Sequence, residues 1–217
     1  MNLDLFDLSN NGDTWVDSIT GDAVVLRQFL VNRSDELADA IKQVESAAPF
    51  RHMQTAGGFT MSAALTGCGD VGWVSDRRGY RYAAIDPVTG EPWPNMPAVL
   101  QEIAQACALE AGYADYFPDA CLINRYAPKA KMSLHQDKDE QDFTAPIVSI
   151  SLGVPATFLF GGLKRSDKTI KVPVAHGDVV VWGGKSRLCF HGVSPIKQAY
   201  HPFWGDQRIN ITFRVAG

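Results

Sequence analysis

Cysteine is scarce and scattered. The four thiols, Cys68, Cys107, Cys121 and Cys189, form no Cys-x-x-Cys pair. Zinc-ribbon and dithiol redox readings therefore lose support, and small buried hydrophobes with reduced thiols are expected instead. No apolar run approaches the roughly 18–20 residues that span a bilayer, so no membrane partner is expected. The start, Met1-Asn-Leu-Asp-Leu-Phe-Asp, is acidic and lacks the basic-then-apolar pattern of a secretory leader. The chain reads as soluble and cytoplasmic. A basic excess is missing too: 20 Lys and Arg against 24 Asp and Glu leave a net charge of -4. Proteins that hold nucleic acid by diffuse charge are usually basic, so a nucleic-acid partner would have to be gripped at a local patch. Internal repeats and low-complexity tracts are also absent.

What is present is an ordinary globular composition, 46% hydrophobic and 20% charged over 217 residues, enough to bury a core without staples. Residues 1–20 are rich in Asn, Asp, Ser and Thr and read as an irregular arm, with Trp15 tucked onto the body. Ala23-Val-Val-Leu-Arg reads as a first strand. Ser34 offers an N-cap, with Asp35 and Glu36 suited to a first turn. Leu37, Ile41, Val44 and Ala48 then fall at helical spacing, and Pro49 limits that helix.

Residues 50–95 combine glycines with Phe59, Trp73, Tyr80, Tyr82 and Trp93. Short strands and turns carrying large side chains often build a lid or binding loop. Pro97 opens a second helix as its first residue, Leu100, Ile103, Ala104 and Cys107 line one face, and Gly112 ends it. Short strands follow, at 121–126, 147–152, 157–160, 170–174, 178–182, 188–191 and 208–214, separated by Gly, Pro or charged turns. This is the pattern of a sandwich, barrel or jelly roll, with the two earlier helices packed outside a β core.

His135-Gln-Asp137 puts an imidazole and a carboxylate on one side of an extended segment. Alone, the pair also reads as a surface histidine beside a solvated aspartate. His191 changes that, because it follows the apolar stretch Leu188-Cys-Phe at an expected strand end. Two histidines and one carboxylate leave three coordination positions open on a non-haem Fe(II). In the last strand, period two places Arg208, Asn210, Thr212 and Arg214 on one face and Ile209, Ile211, Phe213 and Val215 on the other. The polar face either meets water or lines a pocket in which arginine grips a carboxylate. Leu122, Asn124 and Tyr126 share one side of another strand.

These features together resemble the Fe(II)- and 2-oxoglutarate-dependent dioxygenases, and within them the AlkB family of oxidative nucleic-acid demethylases. The matching segments are Gly57-Gly-Phe-Thr-Met-Ser, Ile85-Asp-Pro, Asp119-Ala-Cys-Leu-Ile-Asn-Arg-Tyr-Ala-Pro, Leu134-His-Gln-Asp-Lys-Asp-Glu, Phe160-Gly-Gly-Leu-Lys-Arg, His176-Gly-Asp-Val-Val-Val-Trp-Gly-Gly and Arg208-Ile-Asn-Ile-Thr-Phe-Arg. They run in family order after the first twenty residues.

The resemblance implies a mainly β (α+β) fold, a double-stranded β-helix or jelly roll with flanking N-terminal helices and a nucleotide-recognition lid. Residues 21–217 would be a single dioxygenase domain, with the lid at about 50–92 and the jelly-roll core at about 118–217. By the same resemblance, His135, Asp137 and His191 would ligate Fe(II). Arg208 would pair with 2-oxoglutarate near the metal and Arg214 would clamp its distal carboxylate. Asn124, Tyr126 and Asn210 would bond the co-substrate, and O2 would complete the reaction. Trp73 would stack on a flipped base, with His135 against its other face. Tyr80, Arg81 and Tyr82 would touch the sugar or backbone. Asp139 would sense an exocyclic amine or the positive charge of an alkylated base, and Arg165 would sit at the rim. The implied activity is oxidative demethylation of 1-methyladenine and 3-methylcytosine in single-stranded DNA, with double-stranded DNA and RNA as further partners, by a monomer.

Three rivals have distinct signatures. An iron oxygenase for a non-nucleic-acid substrate would turn over a nucleotide-free compound faster. A zinc hydrolase would need no Arg208 and Arg214 pair. A non-catalytic nucleic-acid module would survive His135→Ala.

Overall fold

In the computed structural model, which describes residues 14–217, the chain forms β1 (Trp15–Thr20), β2 (Ala23–Arg27), α1 (Ser34–Ala47), β3 (Ala64–Gly69), β4 (Gly72–Asp76), β5 (Gly79–Ala83) and α2 (Ala98–Glu110). Then come β6 (Ala120–Tyr126), β7 (Met132–His135), β8 (Ile147–Gly153), β9 (Ala156–Phe160), β10 (Ile170–Val174), β11 (Val179–Trp182), β12 (His191–Val193) and β13 (Arg208–Arg214). The larger sheet runs β1-β2-β11-β8-β13-β6-β3 and the smaller β10-β9-β12-β7, while β4 and β5 form a separate hairpin. All these pairings are antiparallel. Residues of β2, β11, β8 and β6 in the larger sheet pack against the smaller one, and the mainly β jelly roll with outer helices is borne out.

Alternation in β13 explains the layers. Ile209, Ile211 and Phe213 point outward and pack with Leu37 and Ile41 of α1 and Leu100 and Ile103 of α2. Their neighbours point between the sheets, where Tyr126, Ile147, Val180 and Trp182 meet Phe158, Phe160, Val172 and Val193. Each such buried side chain contributes about 1.5–3 kcal/mol. The whole of β13 is buried, so its polar face lines the interior and does not meet water.

Several boundaries differ from the sequence reading. The arm expected over 1–20 contains β1 from Trp15 onward, paired with β2 and tied by the Asp17–Arg27 ion pair at 2.7 Å; residues 1–13 lie outside the described residues. The expected lid at 50–92 includes β3, which is fully buried and hydrogen-bonded to β6 at the sheet edge. Likewise β2 joins the sheet that was expected to begin near 118, because β11 needs a partner on its free side. Arg33, not Ser34, occupies the N-cap of α1. The Ser34 hydroxyl is engaged instead with the Val31 carbonyl and His176 Nε2, at 3.4 and 2.9 Å. Pro97 sits one place earlier than expected, at the cap of α2. Gly112 does end that helix, at φ +88°, where a side chain would be strained.

The His176 and His201 rings are in contact, with centroids 4.4 Å apart and planes tilted at 47°. Each accepts backbone N–H groups at Nδ1: Gly153 at 3.3 Å for His176, Phe203 and Trp204 at 3.2 and 3.3 Å for His201. Both must then be neutral. Burial, with His201 beside it, pushes His176 down to about 4, and burial lowers His201. A folded pKa below the unfolded 6.5 means the unfolded chain binds more protons, so stability is lost as pH falls from about 6.5 toward 4. With the partial exposure discounted, the loss is on the order of 1 kcal/mol. The expected result is a urea midpoint lower at pH 5 than at pH 7, with a smaller difference in His176→Gln; an unchanged difference refutes the assignment.

Candidate metal centre

Strand register makes the centre. His191 on β12 is the direct cross-strand partner of His135 on β7, and their ring centroids are 4.4 Å apart. His191 begins its strand rather than ending one at 188–191, because the chain before it turns through Gly184–Ser186. Gly192 lets β12 lie close to β7, since a Cβ there would come within 2.7 Å of the Met132 carbonyl oxygen.

Each imidazole has its orientation set from behind. His135 Nδ1 is 2.8 Å from the Ser133 carbonyl and His191 Nδ1 is 3.1 Å from that of Cys189. A carbonyl only accepts, so both Nδ1 atoms carry hydrogen, which leaves Nε2 as the ligand atom of each neutral imidazole. Those Nε2 atoms lie 3.6 and 3.7 Å from the two oxygens of Asp137. All three ligand atoms fall within 4.8 Å of one another. Burial pushes His191 down to about 4, so at neutral pH no proton competes for its lone pair. Burial by itself would raise Asp137, but Arg214 and the two histidines more than reverse that and hold the carboxyl well below the usual range.

The two arginines stand in the opposite order to the one expected. Arg214 donates to Asp137 Oδ2 through Nε at 2.9 Å and Nη2 at 2.6 Å, so it belongs to the metal end. Arg208 lies at the far end of β13, and six residues of extended strand separate their Cα atoms by roughly 20 Å. Its Nη2 donates to Ser151 Oγ at 3.0 Å, and the guanidinium sits 5.1 Å from the Tyr126 ring centre. Nε and Nη1 of Arg208, although buried, find no partner among the described residues, and neither does Asn124 Oδ1. Burial alone lowers the Arg208 pKa. A buried cation with two unused donors lacks an anion of carboxylate geometry. The donor set at Asp137 and the waiting guanidinium thus fit Fe(II) and a dicarboxylate. Asn210 is committed by its Nδ2 to Ser149 Oγ and the Ile150 carbonyl, both at 2.8 Å, and Thr212 donates to Asn210 Oδ1 at 3.2 Å.

The β4–β5 hairpin leans on the segment that follows Asp137. Its register places Trp73, Tyr80 and Tyr82 on one face and Val74 with Arg81 on the other. Trp73 stacks on Tyr80, with centroids 5.6 Å apart and planes at 10°. Trp73 Nε1 donates to Asp139 Oδ2 at 3.0 Å, and the Tyr82 hydroxyl donates to Glu140 Oε1 at 2.9 Å. Tyr80 stays exposed. Arg81 is not brought to this face: the pleat turns it away and both its terminal nitrogens bond Asp76, at 3.1 and 2.8 Å. Arg165 is exposed on the segment before β10, 5.3 Å over Phe190, next to His191.

Sequence reasoning missed Glu140, Arg187, Ser149 and Ser151. The two serines were legible, since period two in Ile147-Val-Ser-Ile-Ser-Leu puts them on one face. Nothing local marks Arg187, in a Gly-Gly-Lys-Ser-Arg turn, as a buried ion-pair partner.

Two histidines and an aspartate gathered in a jelly roll, with a buried arginine awaiting an anion, define a non-haem iron oxygenase with an anionic co-substrate. The profile of the 2OG-Fe(II) oxygenase superfamily matches residues 22–214. The Alpha-ketoglutarate-dependent dioxygenase AlkB of Escherichia coli is 54% identical over 213 residues, covering 98% of this chain and 99% of its own length. The DNA N(6)-methyladenine demethylase ALKBH1C of Arabidopsis thaliana is 32% identical over 160 residues, 62% of this chain and 35% of its own. Among solved structures, that of OsALKBH1 superposes with a TM-score of 0.76 at 31% identity, covering 92% of this chain and 99% of that one. The chain belongs to the AlkB family of Fe(II)- and 2-oxoglutarate-dependent dioxygenases.

Proposed function

We propose that the enzyme removes N-alkyl groups from damaged bases, 1-methyladenine and 3-methylcytosine first, in single-stranded DNA, with double-stranded DNA and RNA as further substrates. The observation that carries this is the Trp73–Asp139 bond, which sets a flat aromatic ring and a carboxylate two residues from a metal ligand. Stacking on an aromatic ring contributes about 1–3 kcal/mol per base, and a carboxylate favours a cationic one.

Bound iron with 2-oxoglutarate and O2 supplies an oxidation that converts N-methyl to N-hydroxymethyl, with succinate and CO2 as co-products; the adduct then releases formaldehyde and the restored base. The chain positions the parts. His135, Asp137 and His191 hold the metal, and Arg214 keeps Asp137 anionic. Arg208, with Asn124 and Tyr126 beside it, takes the co-substrate carboxylate remote from the metal. Asn210 braces this wall. Trp73 and Tyr80 offer ring surface to the base, and Arg165 offers charge at the rim. We also take the working enzyme to be a cytoplasmic monomer. No described helix is long and apolar enough to cross a membrane.

The test incubates protein, Fe(II), 2-oxoglutarate, ascorbate and air with a single-stranded oligonucleotide carrying one 3-methylcytosine, with a chelator control. Loss of one methyl mass matched to succinate supports the proposal, and succinate without demethylation rejects this substrate. Asp139→Asn keeps an acceptor for Trp73 and removes the charge. We expect its kcat/KM on cationic 3-methylcytosine to fall about tenfold, the scale of one charged hydrogen bond, and far less on a neutral N-methylated base. Equal losses on both would show that Asp139 does not read charge.

A further inference from the structure

Glu140 is buried three residues beyond the metal ligand Asp137 and belongs to no ligand set described above. One oxygen accepts from the Tyr82 hydroxyl at 2.9 Å and lies 3.3 Å from Arg214 Nε. The other is 3.4 Å from Arg187 Nη2. Arg187 is itself buried and donates to the backbone oxygens of Asp137 at 2.9 Å and Ala145 at 3.1 Å. Arg214 donates to the Asp137 carboxylate. Glu140 thus contacts the hairpin on one side and, through two arginines, both the backbone and the carboxylate of Asp137 on the other.

We infer that Glu140 is a positioning residue that couples the seating of the β4–β5 hairpin to the occupancy of the metal and co-substrate site. This rests on the reading that the hairpin covers the substrate. Carboxylates buried among two guanidiniums have few alternative geometries, because any shift breaks a charged contact. A metal held by Asp137 would draw on the carboxylate that Arg214 bonds, and would leave Arg214 freer to bond Glu140, already 3.3 Å away. That pins the oxygen which receives Tyr82. Coupling of this kind is reciprocal: whatever the loaded site adds to hairpin closure, closure returns as affinity for metal and co-substrate.

Hydrogen–deuterium exchange over residues 72–83 reads the coupling without turnover. The full chain is compared alone and loaded with Mn(II) and 2-oxoglutarate under argon. Wild type is expected to slow several-fold in exchange on loading. Tyr82→Phe removes one oxygen and severs the hairpin side, and Glu140→Gln weakens the arginine side. Each is expected to lose most of the loading-dependent slowing, and the double variant no more than either alone. Wild-type slowing retained in Tyr82→Phe overturns the inference, as does no slowing in wild type. If Glu140→Gln fails to fold by circular dichroism, Tyr82→Phe decides alone. A second readout is the affinity for 2-oxoglutarate with Mn(II), expected to weaken about fivefold in Tyr82→Phe, one hydrogen bond's worth; unchanged affinity also overturns it. Coupling seen by exchange, with no methylated oligonucleotide turned over, would refute the nucleic-acid reading and leave this inference standing.

Discussion

Asp137→Asn is expected to abolish iron retention and turnover. The substitution keeps the size of the side chain and removes the only anionic ligand among the three. Arg214 retains a partner in Glu140 at 3.3 Å, so the fold should persist while the metal site fails. Loss of one member of a buried charged set costs about 3–5 kcal/mol, or roughly 10²–10⁴-fold in affinity. Metal analysis after dialysis and succinate release, with a circular dichroism spectrum as control, are the measurements. A variant that keeps one iron per chain and wild-type succinate release would remove Asp137 from the metal site.

Arg208→Met is expected to separate stability from function. Among the described residues the buried Arg208 guanidinium finds no partner for Nε or Nη1, and burial lowers its pKa. Replacing a buried, poorly paired charge by an apolar side chain of similar length often stabilises, by about 1–4 kcal/mol. The ligand-free variant should therefore melt at or above the wild-type temperature. Its affinity for 2-oxoglutarate should fall by roughly 10²–10³-fold, the scale of a lost charged pair. In wild type, 2-oxoglutarate with Mn(II) should raise Tm in proportion to the logarithm of its concentration; in the variant that rise should vanish. A variant that melts lower and still responds to 2-oxoglutarate would place the co-substrate elsewhere and give Arg208 a structural role.

How far the site could be read from the chain depends on residue spacing. His135 and Asp137 are two apart, so extended geometry alone aims them together. The two faces of Arg208–Arg214 follow from the same period, and so does the apolar face that packs on α1 and α2. Long periodic segments were therefore legible; their number and order gave a sandwich, barrel or jelly roll with outer helices, and the family resemblance chose the jelly roll. Boundaries were less so. Ala64–Gly69 falls in the stretch read as short strands and turns of a lid, and only its pairing with β6 places it in the main sheet. Arg81 sits between two tyrosines in sequence yet on the opposite face from both, because the β4–β5 register decides which way each residue points.

The order of the two arginines shows the division most clearly. Composition and period determine that the chain is mainly β with two arginines on one polar strand face, and the resemblance of its motifs to a known family implies an oxygenase with a two-histidine, one-aspartate centre. These are properties of residue type and local spacing, which any extended or helical backbone expresses. Which arginine meets the metal depends on where β13 runs relative to β7 and β12, strands fifteen or more residues distant in sequence. The same holds for the burial of Glu140 and Arg187, and for Trp73 and Tyr82 meeting the loop past Asp137 across 66 and 58 residues. Hydrogen bonds and ion pairs depend on distances of a few tenths of an ångström. Such distances exist only once the sheets have packed, and no local pattern encodes them.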